Sequence, residues 1–347
     1  MTTLIIFGVV CILLKERVLL CRTCLQGANY MLKPATLLAI SVTFIPLSHA
    51  SPLDLLNNHQ LIVFEDLEST SEVGGTAIIA GDLNGTASNY ATHMSQAMPS
   101  GDGLVIGGDL NVNVQVNNNY GAIVGGSNNG IVSLNGPSSG LSSDTSNYDF
   151  SQIQAELSQF STFLASLPSN SLLTQPLGCC NNASFDVGNS VGSLAAVFNI
   201  DKEDIFENPL INSYSLNLNS QMPSAIVINV AGENIDDSTF SFNAIGDFVS
   251  EAIAELVIWN FYQSETLNLT KAIHGSILAP LAELTNHTEI KGSVAVKSHF
   301  QYGKIWGPTF AGIVPATEDP SPAPAPNPLA FMALIVGFLC WRYRVAA

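Results

Sequence analysis

Basic residues are scarce in this chain. The 347 residues include 11 Lys and Arg against 28 Asp and Glu, a formal net charge of −17. Between residues 51 and 328 there are five lysines and no arginine, and residues 51–201 contain no basic residue at all. Such a surface repels phosphate backbones and anionic lipid headgroups, so nucleic-acid binding is excluded as a function class. The same surface suits solubility outside the cell.

Cysteine is also scarce where a fold would use it. Four of the six cysteines lie near the chain ends, at Cys11, Cys21, Cys24 and Cys340. The body keeps only Cys179 and Cys180, which either join each other in a strained ring or stay reduced. Because adjacent cysteines cannot link distant segments, the fold must stand without a disulfide framework.

Catalytic constellations are missing as well. Gly188–Gly192 fits the G-x-S-x-G pattern around Ser190, with His274, His287 and His299 downstream, but glycine and serine are frequent enough for a chance match. The acid pairs Asp236/Asp237 and Glu251/Glu255 could serve a glycosidase, yet no spacing selects them among the other acids. We therefore expect a non-enzymatic protein; the alternative is an enzyme acting on extracellular polysaccharide.

The N-terminal segment reads as an export signal. Met31 and Lys33 begin a small basic region, 35–47 is an apolar run, and cleavage is predicted between Ala50 and Ser51. Residues 31–50 are thus the predicted signal peptide, and residues 1–30 a leader extension. We interpret Met31 as the true start; the alternative is a long two-part leader.

The C-terminal segment reads as a membrane-sorting tail. A Pro-rich linker, 315–328, with Pro322, Pro324 and Pro326, precedes an apolar tail, 329–347, that carries Arg342 and Arg344. The 13-residue apolar run would rise roughly 20 Å as a helix, short of a hydrocarbon core of about 30 Å. The tail predicts membrane retention with its arginines on the cytoplasmic side.

This arrangement resembles the PEP-CTERM sorting tails of Gram-negative bacteria, with the proline-rich segment in place of Pro-Glu-Pro. The resemblance implies an exosortase-type sorting protease as a partner. It also implies a location at the cell surface, outer membrane or extracellular matrix, with retention at the inner membrane during sorting.

The body, 51–314, shows a loose internal repeat. Its units are Val73–Gly85, Gly103–Val112 and Tyr120–Gly136, each with small apolar residues, then glycine, then an Asp or Asn corner. The corners at Gly81 and Gly108 are 27 residues apart, near the period of a solenoid coil. Glycine and asparagine turn a chain tightly because they tolerate positive φ.

Strand periodicity accompanies the repeat. Alternating apolar residues from Leu104 to Val116 predict a half-buried strand, and 224–230 predicts a continuously buried one. One amphipathic helix is predicted over 151–167, capped by Asp149 or Ser151, with its apolar stripe against the coils. We therefore predict a mainly β fold, a β-solenoid with one flanking α-helix; a β-sandwich is the alternative.

A family resemblance covers roughly residues 53–300. The segments that carry it are Phe64–Leu67, the first two repeat units, Val257–Phe261 (VIWNF), Leu267–Leu269, Ile273–Pro280 (IHGSILAP) and Ile290–Ser298. They resemble the bacterial choice-of-anchor A domain, an adhesive surface module whose members carry varied anchors. The order of elements also resembles ice-binding-like β-solenoids.

The corner residues Asp82, Asn84, Asp109 and Asn111 offer hard oxygen donors and are candidate Ca²⁺ ligands. The alternative is that they hydrogen-bond to the backbone as turn formers. No other cofactor is predicted. Taken together, the residues favour an exported, membrane-retained adhesive or matrix protein whose partner is an extracellular glycan or surface protein. Ice binding is the alternative on the same fold.

Overall fold

The computed structural model describes residues 3–6, 9–12, 51–93, 101–136, 140–189, 191 and 194–314. The chain divides into two units, Met1–His49 and Ala50–Ala347. In the first unit, β1 (Thr3–Ile6) pairs antiparallel with β2 (Val9–Ile12). The predicted signal peptide up to Ala50, Ser190 and the tail from residue 315 lie outside the described residues.

The second unit is built from short strands and few helices. The helices are α1 (Pro52–Asn58), α2 (Phe150–Ser166), α3 (Lys202–Ile205), α4 (Glu251–Ala254) and a 3-10 turn, Asp247–Val249. The strands of the first half are β3 (Leu61–Val63), β4 (Leu67–Ser69), β5 (Ala77–Ile79), β6 (Leu83–Gly85), β7 (Ser88–Tyr90), β8 (Asp102–Ile106), β9 (Val114–Val116), β10 (Gly121–Val124), β11 (Val132–Leu134) and β12 (Leu141–Ser142). The strands of the second half are β13 (Leu172–Thr174), β14 (Asn181–Asp186), β15 (Ala196–Asp201), β16 (Ile211–Asn217), β17 (Ile226–Ala231), β18 (Asn234–Asp236), β19 (Asn243–Gly246), β20 (Val257–Asn260), β21 (Thr266–Leu269), β22 (Ile273–His274), β23 (Ser276–Asn286), β24 (Ile290–Lys291), β25 (Val294–Gln301) and β26 (Ile305–Trp306).

These strands wind into a β-solenoid, as the repeat predicts. Along one face the order is β12-β10-β8-β5-β3-β25-β23-β20-β17-β15, and every neighbouring pair is parallel. The chain therefore winds from β3 to one end of the stack. It then begins again at the other end with β15, and returns until β25 pairs with β3.

Three further faces complete the coils. The acidic face consists of β18, β21, the second halves of β23 and β25, β4 and β6, extended by bridges at Leu110 and Asn128. The tryptophan face consists of β22, β24 and β26, joined through a bridge at Val73 to β7, β9 and β11. The serine–asparagine sheet consists of β13, β14, β16 and β19.

Glycine lets successive coils approach closely at the corners. A Cβ on Gly108 would lie 2.7 Å from the carbonyl oxygen of Gly81, which is closer than real Cβ atoms come. The Gly108 N–H donates to that same carbonyl group at 2.9 Å. The 27-residue spacing is therefore the length of one coil at this place.

The core inside the coils changes character along the stack. In the first half it is lined by small aliphatic side chains such as Val63, Ile79 and Leu104. In the second half, aromatic rings meet edge to face around Trp259, whose partners include Phe185, Phe206 and Tyr214. The larger rings fill wider coils, since β15, β17 and β20 follow one another at separations of about 30 residues.

A second core lies outside the coils, under α2. The helix begins after Asp149, whose side chain accepts a hydrogen bond from the Gln152 N–H, and it ends before Leu167. Its buried residues Leu157, Phe160 and Leu164 pack on outward side chains of the sheet such as Val227 and Ile258. The predicted flanking helix is confirmed, with Asp149 as its cap; α1 was not predicted.

The structure corrects the strand predicted from Leu104 to Val116 and decides between the two alternatives for the adjacent cysteines. The alternation from Leu104 to Val116 is not one strand, because β8 and β9 lie on different faces and Leu110 forms only an isolated bridge. The alternation of apolar residues nevertheless continues from β8 to β9, because the inward side chains on each face of a coil line the same core. Between the two alternatives for the cysteines, the structure joins Cys179 to Cys180.

Candidate binding faces

One face of the solenoid is closed by the helices and is here called the covered face. It is the long sheet from β12 to β15, and its outward apolar side chains are buried beneath α1 and α2. These side chains are Ile62, Ile78, Val105, Ile123, Val197, Val227, Ile258, Leu278 and Ala295. Because this surface is already covered, a ligand must use another face.

Three asparagines fix the helix on the covered face. Asn199, Asn229 and Asn260 occupy one register row, and each Nδ2 of the last two donates to the Oδ1 of its predecessor at 2.8 Å. Asn229 also donates to the carbonyl oxygen of Leu164 at 2.7 Å, and Asn260 exchanges hydrogen bonds with Ser161. The buried amides of Asn229 and Asn260 set the position of the helix as well as its attachment.

The acidic face is the longest open surface. Two rows of outward side chains run across eight coils, with none of these residues buried. The first row is Asn234, Thr266, Glu283, Ser298, Asp66, Asp82, Asp109 and Ser127. The second row is Asp236, Asn268, Thr285, Phe300, Glu68, Asn84, Asn111 and Asn129. Seven strand spacings give a length of about 34 Å.

The side chains in these rows bond from coil to coil. The Asp82 and Asp109 carboxylates accept hydrogen bonds from the next coil's backbone N–H groups, at 2.7 and 2.6 Å. Asn111 donates to Asn84 at 2.9 Å, and Asn129 donates to Asn111 at 2.8 Å. The rows are therefore regular and held in place.

The structure brings the four predicted Ca²⁺ ligands together. Asp82 and Asp109 are neighbours in one row, while Asn84 and Asn111 are neighbours in the other. Each pair is joined by one ladder bond between coils: the Asp82 carboxylate accepts from the Asp109 N–H, and the Asn84 Oδ1 accepts from the Asn111 Nδ2. These bonds span 27 residues and are not the local turns considered as the alternative. In the part of the chain that the structure describes, no group of three or more His, Cys, Asp or Glu residues is placed to hold a metal ion.

The middle of the acidic face holds a shallow depression of about 290 Å³. Its lining includes Glu68, Glu283, Ser298 and Phe300. Glu65, at its edge, lies 3.9 Å from the Lys297 ammonium group. Six of the sixteen side chains in the two rows are carboxylates and none is basic, so the face carries a strong negative potential.

The serine–asparagine sheet is a smaller polar surface. The Asp186 carboxylate lies at its centre and accepts hydrogen bonds from Thr174 (2.7 Å), Ser184 (2.9 Å) and Asn217 (3.0 Å). Asn182 and Ser215 bond at 2.8 Å in the neighbouring rows. The sheet spans four strands, about 14 Å, so it offers less than half the length of the acidic face.

Sequence comparison agrees with this architecture. Residues 52–305 match the family described as "Putative Ice-binding-like adhesive domain". The chain belongs to this family. The match spans α1 to the first residue of β26, so it includes the strands of the covered and acidic faces and those of the tryptophan face up to Ile305.

Solved structures similar to this family member include three ice-binding proteins. The Shewanella frigidimarina ice-binding protein_1 DUF3494 domain is 11% identical, with 75% of this chain and 98% of that chain covered and a TM-score of 0.29. The protein from the ascomycete Antarctomyces psychrotrophicus is 10% identical over 74% and 97%, with a TM-score of 0.27. The protein from an Antarctic Flavobacteriaceae bacterium is 14% identical over 77% and 84%, with a TM-score of 0.28. No curated protein is significantly similar in sequence.

The two acid pairs considered for catalysis are placed differently. Asp236 points outward on the acidic face, where hydrogen bonds from Ser238 hold its pKa below the usual value. Its neighbour Asp237 points inward and is buried; burial raises its pKa, although Thr270 donates to it at 2.6 Å. Asp237 directly follows the last residue of β18, and its side chain points to the opposite side from that of Asp236, so this pair cannot share a substrate. Glu251 begins α4, and Glu255 caps its end.

The histidines are also dispersed. His299 is buried inside the coils and its Nε2 lies 2.9 Å from the Asn286 Oδ1. His287 stacks on Tyr302, with ring centroids 5.3 Å apart, and His274 belongs to the tryptophan face.

None of the described residues forms a helix with the length and apolar composition needed to cross a membrane.

Four of the sixteen residues in the two rows of the acidic face were predicted from the sequence as ligands. Sequence reasoning found the corner residues of the first half, because Gly-Asp-Leu-Asn repeats there. It did not find Glu283, Thr285 or Phe300, which extend the same rows in the second half. Their only signal was the period-2 alternation in β23 and β25, which identifies outward residues without showing which coils they adjoin.

Proposed function

We propose that this protein is an exported surface adhesin or matrix module that binds an extended extracellular glycan through its acidic face. The observation that carries the proposal is the pair of regular, uncovered polar rows across eight coils, about 34 Å long. A surface of this length and flatness suits a polymer chain, whereas a small substrate requires a concave pocket. The membership of an adhesive-domain family supports the same class of function.

Charge defines the ligand further. The rows hold six carboxylates and no cation, so a neutral glycan can bind directly by hydrogen bonds to the amides and carboxylates. An anionic glycan would need a bridging cation, and Asp82, Asn84, Asp109 and Asn111 are the proposed Ca²⁺ ligands for that case. We propose no catalytic role, in keeping with the divergence of Asp236 and Asp237.

The finer assignment concerns attachment to the cell. We propose that the domain is a choice-of-anchor A module delivered by the 31–50 signal peptide and retained by the PEP-CTERM-like tail. Cleavage between Ala50 and Ser51 is supported by α1, because Ser51 is its N-cap and the capping box with Asp54 stays complete in the cleaved chain. The tail itself lies outside the described residues.

The binding proposal is tested with an array of neutral and anionic extracellular polysaccharides and of surface proteins. The array is probed with the detergent-solubilised full chain, with and without Ca²⁺. We expect binding to at least one polysaccharide. If the bound polysaccharide is neutral, the double variant Asn84→Lys with Thr285→Lys should weaken its binding at least tenfold, because two long lysine side chains replace an amide and a hydroxyl in one row of the acidic face.

The matched control carries the same charge change elsewhere. Ser215→Lys with Asn243→Lys alters the outward face of the serine–asparagine sheet and should leave binding within twofold of the wild type. Equal loss in both double variants would show a general charge effect. Absence of binding to every polysaccharide would overturn the proposal.

Anchoring is tested separately. Deletion of residues 320–347 should release the protein from the cell into the medium, measured by fractionation and immunoblotting. A deletion variant that stays with the cells as firmly as the full chain would contradict the tail assignment without affecting the binding proposal.

Ice binding is the second candidate, favoured by the regular coil-to-coil rows of Asp82–Asp109–Ser127 and Asn84–Asn111–Asn129. It predicts inhibition of ice recrystallisation by the wild type and loss in the Asn84→Lys, Thr285→Lys variant. The many carboxylates in the rows favour the glycan, since threonine occurs in them only at Thr266 and Thr285.

A further inference from the structure

Trp306 occupies an outward position on the tryptophan face. Ile305, the other residue of β26, points into the core, while the Trp306 indole is partly exposed. Residues 51–314 contain one other tryptophan, Trp259, which is fully buried. Trp306 is therefore an aromatic surface that solvent reaches and that the inner core does not use.

The indole is held in a fixed orientation. Its Nε1–H donates to the Glu289 Oε2 at 2.8 Å, and Glu289 also pairs with the Lys291 ammonium group at 3.3 Å. Lys291 is the direct neighbour of Trp306 in the register between β24 and β26. A fixed aromatic ring loses little freedom when a ligand covers it.

Lysines gather around this ring. Of the five lysines in residues 51–314, two lie against the Trp306 indole, with the Lys291 Nζ 5.1 Å and the Lys304 Nζ 6.0 Å from the ring centroid. Lys304 forms an ion pair with Glu72 on the next coil. Both ammonium groups thus lie over the indole ring, and each is paired with a glutamate, so the two pairs present hydrogen-bond donors and acceptors beside it.

The coil on the other side of Trp306 leaves room. The neighbouring row position there is Gly74, where a Cβ would lie 3.1 Å from the Trp306 Cβ. Because glycine has no side chain, none stands beside the indole at that position. The closest ring on this side belongs to His93, with centroids 6.3 Å apart and planes tilted by 52°.

A flat apolar ring with a polar rim matches the chemistry of a sugar. A pyranose has an apolar C–H face, which the electron-rich face of an indole attracts, and hydroxyl groups around its edge. We propose that the Trp306 patch binds one pyranose unit of a polysaccharide, stacked on the indole with its hydroxyls on Lys304, Glu72 and Glu289. This proposal rests on the proposed glycan adhesion and adds a second contact on a different face.

The test uses tryptophan fluorescence of the full chain. Trp341→Phe in every sample leaves Trp259 and Trp306 as the only tryptophans, and the detergent must lack a sugar headgroup. Cellohexaose is the neutral probe and a guluronate hexamer the acidic probe. We expect at least one of them to lower acrylamide quenching of Trp306 twofold or more, with the preferred probe showing whether the patch favours a neutral or a uronic sugar.

Two variants separate binding from folding. Trp306→Phe should weaken sugar binding at least tenfold by calorimetry, because phenylalanine offers a smaller face and no N–H group for Glu289. Lys304→Gln, at a half-exposed side chain, should weaken it about threefold and keep the circular dichroism spectrum and melting temperature. Unchanged quenching with both sugars, or wild-type affinity in Lys304→Gln and a folded Trp306→Phe, would overturn the proposal.

The acidic-face variant distinguishes this proposal from the adhesion proposal. If Asn84→Lys with Thr285→Lys abolishes binding to the array while Trp306→Phe leaves both array and hexamer binding intact, adhesion stands and the Trp306 patch is rejected. If the array shows no binding while the hexamers still protect Trp306, the patch stands as an independent sugar site and the acidic-face proposal fails.

Discussion

The covered face and the acidic face are built from the same coils and even from the same strands. Strand β23 contributes Leu278 to the covered face and Thr285 to the acidic face, and both side chains point away from the inner core. Leu278 is buried under the helix layer, whereas Thr285 is partly exposed. The difference shows that the outward side chains, and not the backbone of the solenoid, determine which face is open to a partner.

The largest effect is expected where the two faces share a strand. Leu278→Ala should lower the free energy of unfolding by about 2–5 kcal/mol, because it removes buried contacts and leaves a cavity under α2. Thr285→Ala should change it by less than about 0.5 kcal/mol. Urea denaturation followed by circular dichroism measures both. Similar losses in the two variants would remove the distinction between the faces.

A smaller effect is expected from the asparagine row that positions α2. Asn229→Ala removes the donor to the Leu164 carbonyl oxygen and the acceptor for Asn260, all in buried surroundings. Leaving such groups unpaired should cost about 1–3 kcal/mol of unfolding free energy. Hydrogen exchange in α2 should accelerate in parallel. If α2 kept wild-type protection from hydrogen exchange in a destabilised Asn229→Ala variant, the asparagine row would contribute to stability without attaching the helix.

The inner lining behind the acidic face predicts a pH effect. Burial lowers the pKa of His299 to about 3, while the unfolded chain titrates near 6.5. The unfolded state therefore takes up a proton at His299 that the folded state does not. The stability that comes from the neutral His299 imidazole is fully present above pH 6.5 and declines toward pH 3. Between pH 7 and 5.5 the loss should be about 1 kcal/mol.

The matched measurement compares urea unfolding of the wild type and His299→Gln at both pH values. Other titrating groups are common to the two proteins, so the difference of differences isolates His299. The pH-dependent loss should be about 1 kcal/mol smaller in the variant. An identical pH dependence would show that His299 does not contribute.

The smallest effect is expected on the acidic face itself. Asn111→Ala breaks its ladder bonds to Asn84 and Asn129, all exposed to solvent. Water replaces these bonds, so the unfolding free energy should fall by about 0.5 kcal/mol or less. Glycan binding should fall more than stability does. A loss above about 2 kcal/mol would mean that the rows serve the fold rather than a ligand.

Much of the fold could be predicted from local patterns. The stripe from Phe150 to Leu167 identified α2 to within one residue, and the 27-residue spacing of Gly81 and Gly108 gave a coil length that the hydrogen bonds confirm. Both signals are short-range, because they depend on neighbours along one helix or on one repeated corner.

The rest depends on register between distant segments. Nothing in the composition of β25 shows that it pairs with β3, so the continuation of the acidic face through Phe300 and Glu68 was not predictable. The Trp306 patch was not predicted for the same reason, since Glu72 and Lys304 meet only where the coil of β25 adjoins the coil of β3. The Ca²⁺ ligands, the export signal and the sorting tail stay predictions.

The pairing of β3 with β25 also governs how the chain can assemble. Leu61 and Val294 are partners across 233 residues, so the loop that this contact closes is nearly the whole domain. Contacts of such long range form slowly. Until β25 arrives, the open edge of β3 is a template for the wrong strand, from this chain or another. Correct folding therefore waits for almost the last segment of the domain to be synthesised, and that late arrival is what joins two half-stacks into one.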